Sequence, residues 1–174
     1  MKKFIPLITL LVFLAGIGNT TAKGIYQSQT DFLNEVFAGD VPKPALIWIT
    51  GERRKTATQI LQHKPNRLRI RYWARATHSA WVLEEIGKER PITVGIVIKD
   101  GQIQQLRVLA FRESRGDEVR HDFFTRQFQQ ATLKADLQLS NSIDGISGAT
   151  LSVRALRKLA RLALYLDQQR QSQP

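Results

Sequence analysis

The chain of 174 residues contains no cysteine, so disulfides, thiolate metal centres and a lipid-bearing cysteine are excluded. Its stability must come from an ordinary hydrophobic core. Histidine is also scarce, and all three histidines precede Ser147, which rules out a hydrolase that needs a serine followed by an acid and a histidine. The sequence has neither the Gly-Lys-Ser/Thr of a P-loop nor a G-x-G-x-x-G that opens a βαβ unit.

The first residues have the pattern of an export signal. Lys2 and Lys3 precede an apolar run from residue 4 to residue 17, and small residues lead up to Ala22. This pattern predicts cleavage after Ala22 and a periplasmic mature protein that begins at Lys23. An uncleaved membrane anchor is the alternative, but the run is shorter than the roughly 20 residues that a spanning helix needs.

The charge is strongly basic, with 26 Lys and Arg against 15 Asp and Glu and a formal net charge of +11. A basic exported protein could meet anionic lipid, nucleic acid or an acidic redox partner. No zinc-finger, RNA-recognition or helix-turn-helix signature accompanies the charge, so we expect no nucleic-acid partner.

Hydrophobic periodicity predicts an α+β fold, a single domain in which helices pack against an antiparallel β-sheet. Helical patterns cover residues 27–37, 51–63, 120–130 and 151–166; strand patterns cover 45–50, 66–76, 79–86 and the hairpin 91–111, which turns at Asp100-Gly101. Residues 133–143 fit a short strand or an extended segment. We expect Phe123, Phe124 and Phe128 in the core, and Leu151 on the buried stripe of the last helix.

The strand at residues 66–76 alternates strictly between apolar and basic side chains. One side carries Arg67, Arg69, Arg71, Trp73 and Arg75. Such a side is commonly a solvated sheet surface. The functional alternative is an anion-binding face, because the planar guanidinium suits phosphates and carboxylates and Trp73 could cover a ring.

The segment from Asp144 to Ser152, DGISGATLS, joins a glycine-rich loop to the start of the last helix. A helix N-terminus offers unpaired backbone N–H groups and a partial positive charge, and both favour a phosphate. The alternative is helix capping alone, with Ser147, Thr150 or Ser152 as the N-cap.

The same segment resembles the D-x-x-S-G-A-T motif of the FMN-binding domain family, which includes flavin-carrying subunits of the sodium-translocating NADH:quinone reductase and of the Rnf complex. Asp144, Ser147, Gly148, Ala149 and Thr150 match it position by position. The resemblance implies that a flavin transferase moves FMN from FAD onto Thr150 as a phosphoester. It further implies that Ser147, Gly148 and Ala149 shape the loop and that the transferase requires Asp144.

A second segment, Glu113-Ser114-Arg115-Gly116, resembles the family's E-T-P-G sequence near the flavin ring, with Ser and Arg in place of Thr and Pro. The resemblance therefore implies that Glu113, Ser114 and Gly116 surround the ring. It covers residues 91–160. The predicted organisation is a signal peptide at 1–22, an N-terminal part at 23–90 without a recognised resemblance, an FMN-binding core at 91–166 and a frayed tail at 167–174.

These features together predict an exported electron-transfer flavoprotein with covalent FMN, more a redox protein or subunit than a stand-alone enzyme. The expected partners are a flavin transferase and membrane or periplasmic redox proteins, with peripheral membrane contact as a further option. Two alternatives stay open. One is a non-enzymatic anion-binding module that uses residues 67–75, and the other is a flavin-dependent reductase of a small acceptor.

Overall fold

The computed structural model describes residues 24–172. The predicted export signal lies outside the described residues. Among the described residues, no helix combines the length and apolar character needed to cross a membrane. The fold is α+β, as the hydrophobic pattern predicted.

The sheet is an antiparallel meander of five strands in the order β1-β2-β3-β4-β5. Its strands are β1 (Ala45–Trp48), β2 (Arg69–Arg75), β3 (His78–Ile86), β4 (Pro91–Lys99) and β5 (Gln102–Phe111). The predicted turn at Asp100-Gly101 is confirmed, since both residues have positive φ (51° and 75°), as a two-residue hairpin of type I′ requires. Residues 79–86, predicted as a strand, lie in β3.

One face of the sheet is covered by two helices, α2 (Gly51–Leu61) and α4 (Thr150–Gln171). The main hydrophobic core lies between them and the sheet. It includes Ile60 of α2, Ile96 of β4 and Leu156 of α4, none of which is exposed to solvent. The predicted helix at 51–63 is confirmed. It ends two residues earlier than predicted because Gln62 adopts the left-handed conformation.

The opposite face is only partly covered, by α1 (Gln29–Val36). Phe32 of α1 rests on Gly95 of β4, where a Cβ atom would come within 2.6 Å of the ring. Trp73 is buried in this second core, 5% exposed. The suggestion that Trp73 covers a ligand ring is therefore wrong, because the tryptophan packs beneath α1.

Between β5 and α4 the chain forms three short helical pieces, a 3₁₀ turn (Asp117–Arg120), α3 (Asp122–Thr125) and a second 3₁₀ turn (Arg126–Phe128), rather than one helix over 120–130. Phe124 and Phe128 are buried as predicted. Phe123 is 61% exposed, so its predicted core position is wrong: in this broken helix it points outward beside His121. Residues 133–143 do not form the predicted strand or extended segment. The chain folds back in a turn where the Leu137 N–H donates to the Lys134 carbonyl at 2.9 Å, and Leu133 and Leu139 form an isolated bridge.

The C-terminal turns of α4 are fixed by a buried carboxylate. Asp167 accepts hydrogen bonds from the Ser79 hydroxyl and from Arg170 Nε, each at 2.6 Å. The indole N–H of Trp81 in turn donates to Ser79 at 2.9 Å. The helix consequently continues to Gln171, so residues 167–171 are helical rather than frayed.

Candidate functional site

The loop before α4 is a tight turn that glycine makes possible. The N–H of Ala149 donates to the carbonyl of Ile146 at 3.0 Å, and Gly148 at the third position of the turn has φ = +84°. Glycine is the residue that adopts this conformation at little cost. The loop is also tied to the preceding helical region, because the N–H of Asp144 donates to the side-chain carbonyl of Gln127 at 2.7 Å.

The helix begins at Thr150 without a side-chain cap. No hydroxyl of Ser147, Thr150 or Ser152 accepts a hydrogen bond from the first turn, so the alternative in which this segment only caps a helix is wrong. The first intrahelical bond runs from the Val153 N–H to the Ala149 carbonyl. The N–H groups of residues 150–152 therefore have no helical acceptor, and Thr150 is exposed beside them.

The second sequence segment packs directly against this helix start. Gly116 has φ = +88° and is buried, and a Cβ atom on it would lie 2.8 Å from Ser152 Oγ and 3.4 Å from Ala149 Cα. Only a residue without a side chain allows this approach. The structure thus brings together two segments that are about thirty residues apart in the chain.

Glu113 organises the edge of the site through the main chain. Its Oε1 accepts hydrogen bonds from the backbone N–H groups of Lys88, Glu89 and Arg90 at 2.5, 2.7 and 3.0 Å. Although burial raises the pKa of this carboxyl, the three N–H donors more than compensate and hold the pKa of Glu113 below its ordinary value of 4.5. Glu113 therefore fixes the β3–β4 turn, and with it Lys88, at the rim of the site.

The two segments and the β3–β4 turn enclose an open depression of about 590 Å³. Its lining comprises Lys88, Glu113, Ser114, Arg115, Gly148, Ala149, Thr150, Leu151 and Ser152. Leu151 is 39% exposed here, so its predicted place on the buried stripe of α4 is wrong: the first turn of the helix faces the depression instead of the core. Asp144 and Ser147 are exposed on the loop and do not line the depression.

Two cationic side chains, Lys88 and Arg115, lie at this depression and were missed as site residues from the sequence. Lys88 follows a strand in a turn whose position depends on Glu113, a contact across 25 residues that no local pattern reveals. Arg115 occupies the position where the resembled family has proline. This arginine within the second motif was the only feature of the sequence that indicated a cation at the depression.

The residues at the depression fit a phosphate monoester or diester. Unpaired N–H groups at a helix start, a lysine and an arginine all favour an anion, and the exposed Thr150 hydroxyl is an available acceptor for a phosphoester. Within residues 24–172, no group of three or more His, Asp or Glu side chains is placed to hold a metal ion.

Comparison with protein-family models matches residues 87–165 to the FMN-binding domain. This range contains β4, β5, the three helical pieces and most of α4, and so includes all the sequence-predicted site residues. No curated protein and no solved structure matches the chain significantly.

Proposed function

Residues 87–165 belong to the FMN-binding domain family, and from this premise we propose that the protein is an electron-transfer flavoprotein whose FMN is attached covalently to Thr150. The observation that carries the proposal is the exposed threonine hydroxyl at an uncapped helix start, in a depression with two cations. A flavin held without a covalent bond would not require a hydroxyl at this position.

The attachment is a phosphoryl transfer without a redox change. The Thr150 oxygen forms a bond to the FMN phosphorus of FAD, the pyrophosphate bond breaks, and AMP leaves. A base of the flavin transferase accepts the hydroxyl proton, and Asp144, exposed six residues before Thr150, is part of the surface that the transferase recognises. This chain contributes the acceptor oxygen and a loop that keeps it accessible.

After attachment the phosphodiester carries one negative charge at the start of α4. The N–H groups of residues 150–152 and the Lys88 and Arg115 side chains offset this charge. Bound flavin supplies the redox chemistry, and the protein supplies position and electrostatics. Ser114 lines the depression and would bound the space available to the ring. Gly116 does not line the depression; it packs against Ser152 and Ala149 and so supports this region of the site.

A covalent bond suits the exported location that the N-terminal sequence predicts. Free flavin outside the cytoplasm is diluted by diffusion, so the occupancy of a non-covalent site would depend on the flavin concentration. A covalent bond keeps the flavin at a fixed local concentration instead. The redox function then does not depend on the supply of free FMN.

The proposal is tested by replacing the acceptor. Thr150→Ala should lose all flavin that survives denaturation, while Thr150→Ser, the matched control, keeps a hydroxyl and should retain part of it. Because Thr150 caps nothing and is exposed, Thr150→Ala should change the free energy of unfolding by less than about 0.7 kcal/mol, within the range of helix propensities. The measurements are in-gel flavin fluorescence and mass spectrometry after co-expression with an active flavin transferase, together with circular dichroism.

Asp144→Ala should also lower flavin loading, through poorer recognition by the transferase, with the fold intact. Denaturation-resistant flavin on folded Thr150→Ala protein would refute attachment at Thr150. The absence of flavin from wild-type protein co-expressed with an active transferase would refute covalent attachment altogether and favour the anion-binding alternative.

A further inference from the structure

The half of the sheet face that α1 leaves uncovered presents apolar and basic side chains together. Residues that lie opposite each other on antiparallel strands share a face, and here Leu46 pairs with Arg71 and Trp48 pairs with Arg69. Leu46 and Trp48 are 48% and 53% exposed, although most large apolar side chains of the sheet are buried. These four residues form the β1–β2 patch and line an open surface cavity.

The charge of the β1–β2 patch is not neutralised by the protein itself. Arg67 and Arg75 pair with Glu84 and Asp40, at 3.4 and 2.8 Å. Within the part of the chain that the structure describes, neither Arg69 nor Arg71 has a carboxylate oxygen within 4.0 Å. A ligand that supplies carboxylates to these arginines and apolar contact to Trp48 and Leu46 therefore complements the patch in both respects.

The β1–β2 patch lies at the same end of the sheet as the β3–β4 turn. Arg67, two residues before the start of β2, pairs with Glu84 near the end of β3 at 3.4 Å, and the turn follows β3 directly. Thr150 is not among the residues that line the cavity at the patch, so a molecule bound at the patch would leave Thr150 accessible.

We propose that the β1–β2 patch is a docking surface for an acidic segment of a partner protein, in which apolar side chains alternate with carboxylates. The occupant follows from the chemistry of the patch, because two guanidinium groups without a carboxylate partner lie beside two exposed apolar side chains. The redox role of this partner rests on the proposed function, under which docking here would bring the partner to the domain that carries the flavin.

The three tryptophans of the chain make this surface measurable. Trp73 and Trp81 are 5% and 0% exposed, so a soluble quencher such as acrylamide reports mainly on Trp48. The probe is a synthetic peptide of alternating glutamate and leucine, titrated into protein that carries no flavin. We expect a blue shift of the emission, protection from acrylamide, and weaker binding at high salt because exposed charges are screened.

Charge reversal distinguishes this surface from general attraction to a basic protein. Arg69→Glu/Arg71→Glu should weaken peptide binding about tenfold or more, since two favourable exposed pairs become repulsive. Arg154→Glu/Arg157→Glu, on the exposed side of α4, changes the net charge equally and should leave binding within about twofold. Circular dichroism of each variant verifies folding.

Equal weakening by both double variants, or no protection of Trp48 at any peptide concentration, would overturn the proposal. Binding of anionic phospholipid vesicles through Trp48, without binding of the peptide, would overturn it in favour of a membrane surface. Since flavin is absent from this assay, a failure here leaves the attachment at Thr150 untouched, and a failure of flavin loading leaves the docking surface untouched.

Discussion

Replacement of Gly116 by alanine tests the contact that joins the two motif segments. An alanine there would have φ near +88° and a Cβ atom 2.8 Å from Ser152 Oγ. The left-handed conformation costs a residue with a side chain about 1–2 kcal/mol, and the reduced entropy of the unfolded chain returns about 0.4–1 kcal/mol. The steric conflict adds about 1–3 kcal/mol, the usual cost of overpacking a buried site.

Gly148 provides the matched control for this substitution. Its φ of +84° is nearly the same, but a Cβ atom there would meet nothing within 4 Å. Gly148→Ala should therefore show the backbone cost alone, roughly 1 kcal/mol or less. The difference between the two variants measures how tightly the Gly116 loop is packed on the start of α4.

The assay is urea denaturation of both variants, repeated in a Ser152→Ala background. Removal of the hydroxyl takes away the shortest contact, so Gly116→Ala should cost less in that background, and the double-mutant cycle should show a coupling of about 1 kcal/mol or more. Each kcal/mol corresponds to a decrease of about 2–4 °C in Tm for a domain of this size. Equal costs for the two glycines, or no coupling to Ser152, would refute the packing argument.

Two further predictions concern buried or partly buried carboxylates. The pKa of Glu113 is lowered in the folded protein, so its contribution to stability is present above its unfolded pKa and is lost as the pH falls through the lower folded value. Glu113→Gln should accordingly flatten the decline of stability against urea below pH 4.5. Glu118→Gln, at an exposed position of the following 3₁₀ turn, is the control. If stability declines with falling pH as steeply in Glu113→Gln as in the wild type, the role of the three N–H donors is contradicted. Asp167→Ala should lower the free energy of unfolding by about 3 kcal/mol, because it leaves Arg170 and the Ser79 hydroxyl buried without their acceptor. If Gln168→Ala, at an exposed neighbouring position, lowers it equally, the network contributes little to stability.

Local sequence patterns predicted most secondary structure because the relevant forces are local. The hairpin at Asp100-Gly101 depends on two residues that tolerate positive φ, and the helix at 51–61 on an apolar stripe and a nearby proline. In each of these cases the determining residues lie within a few positions of one another.

The errors arose where distant residues decide the outcome. Trp73 alternates with arginines, yet it is buried because α1 folds over that half of the sheet. The extension of α4 to Gln171 depends on Ser79 of β3, far away in sequence. The position of Lys88 at the depression depends on Glu113, which is 25 residues away in the chain. Periodicity within one segment contains no information on such contacts.

The simple connection of the strands has a consequence for how the site is assembled. Every strand pairs with its neighbour in sequence, and from β2 to β5 the connections are tight turns, so the closure of these turns costs little chain entropy. The docking of α4 on α2, β3 and β4 joins residues that are far apart in the chain and closes long loops. Thr150 is the first residue of that helix, so the proposed acceptor hydroxyl reaches its native surroundings only when α4 docks on elements distant in the chain, and detachment of this one helix would dismantle the depression.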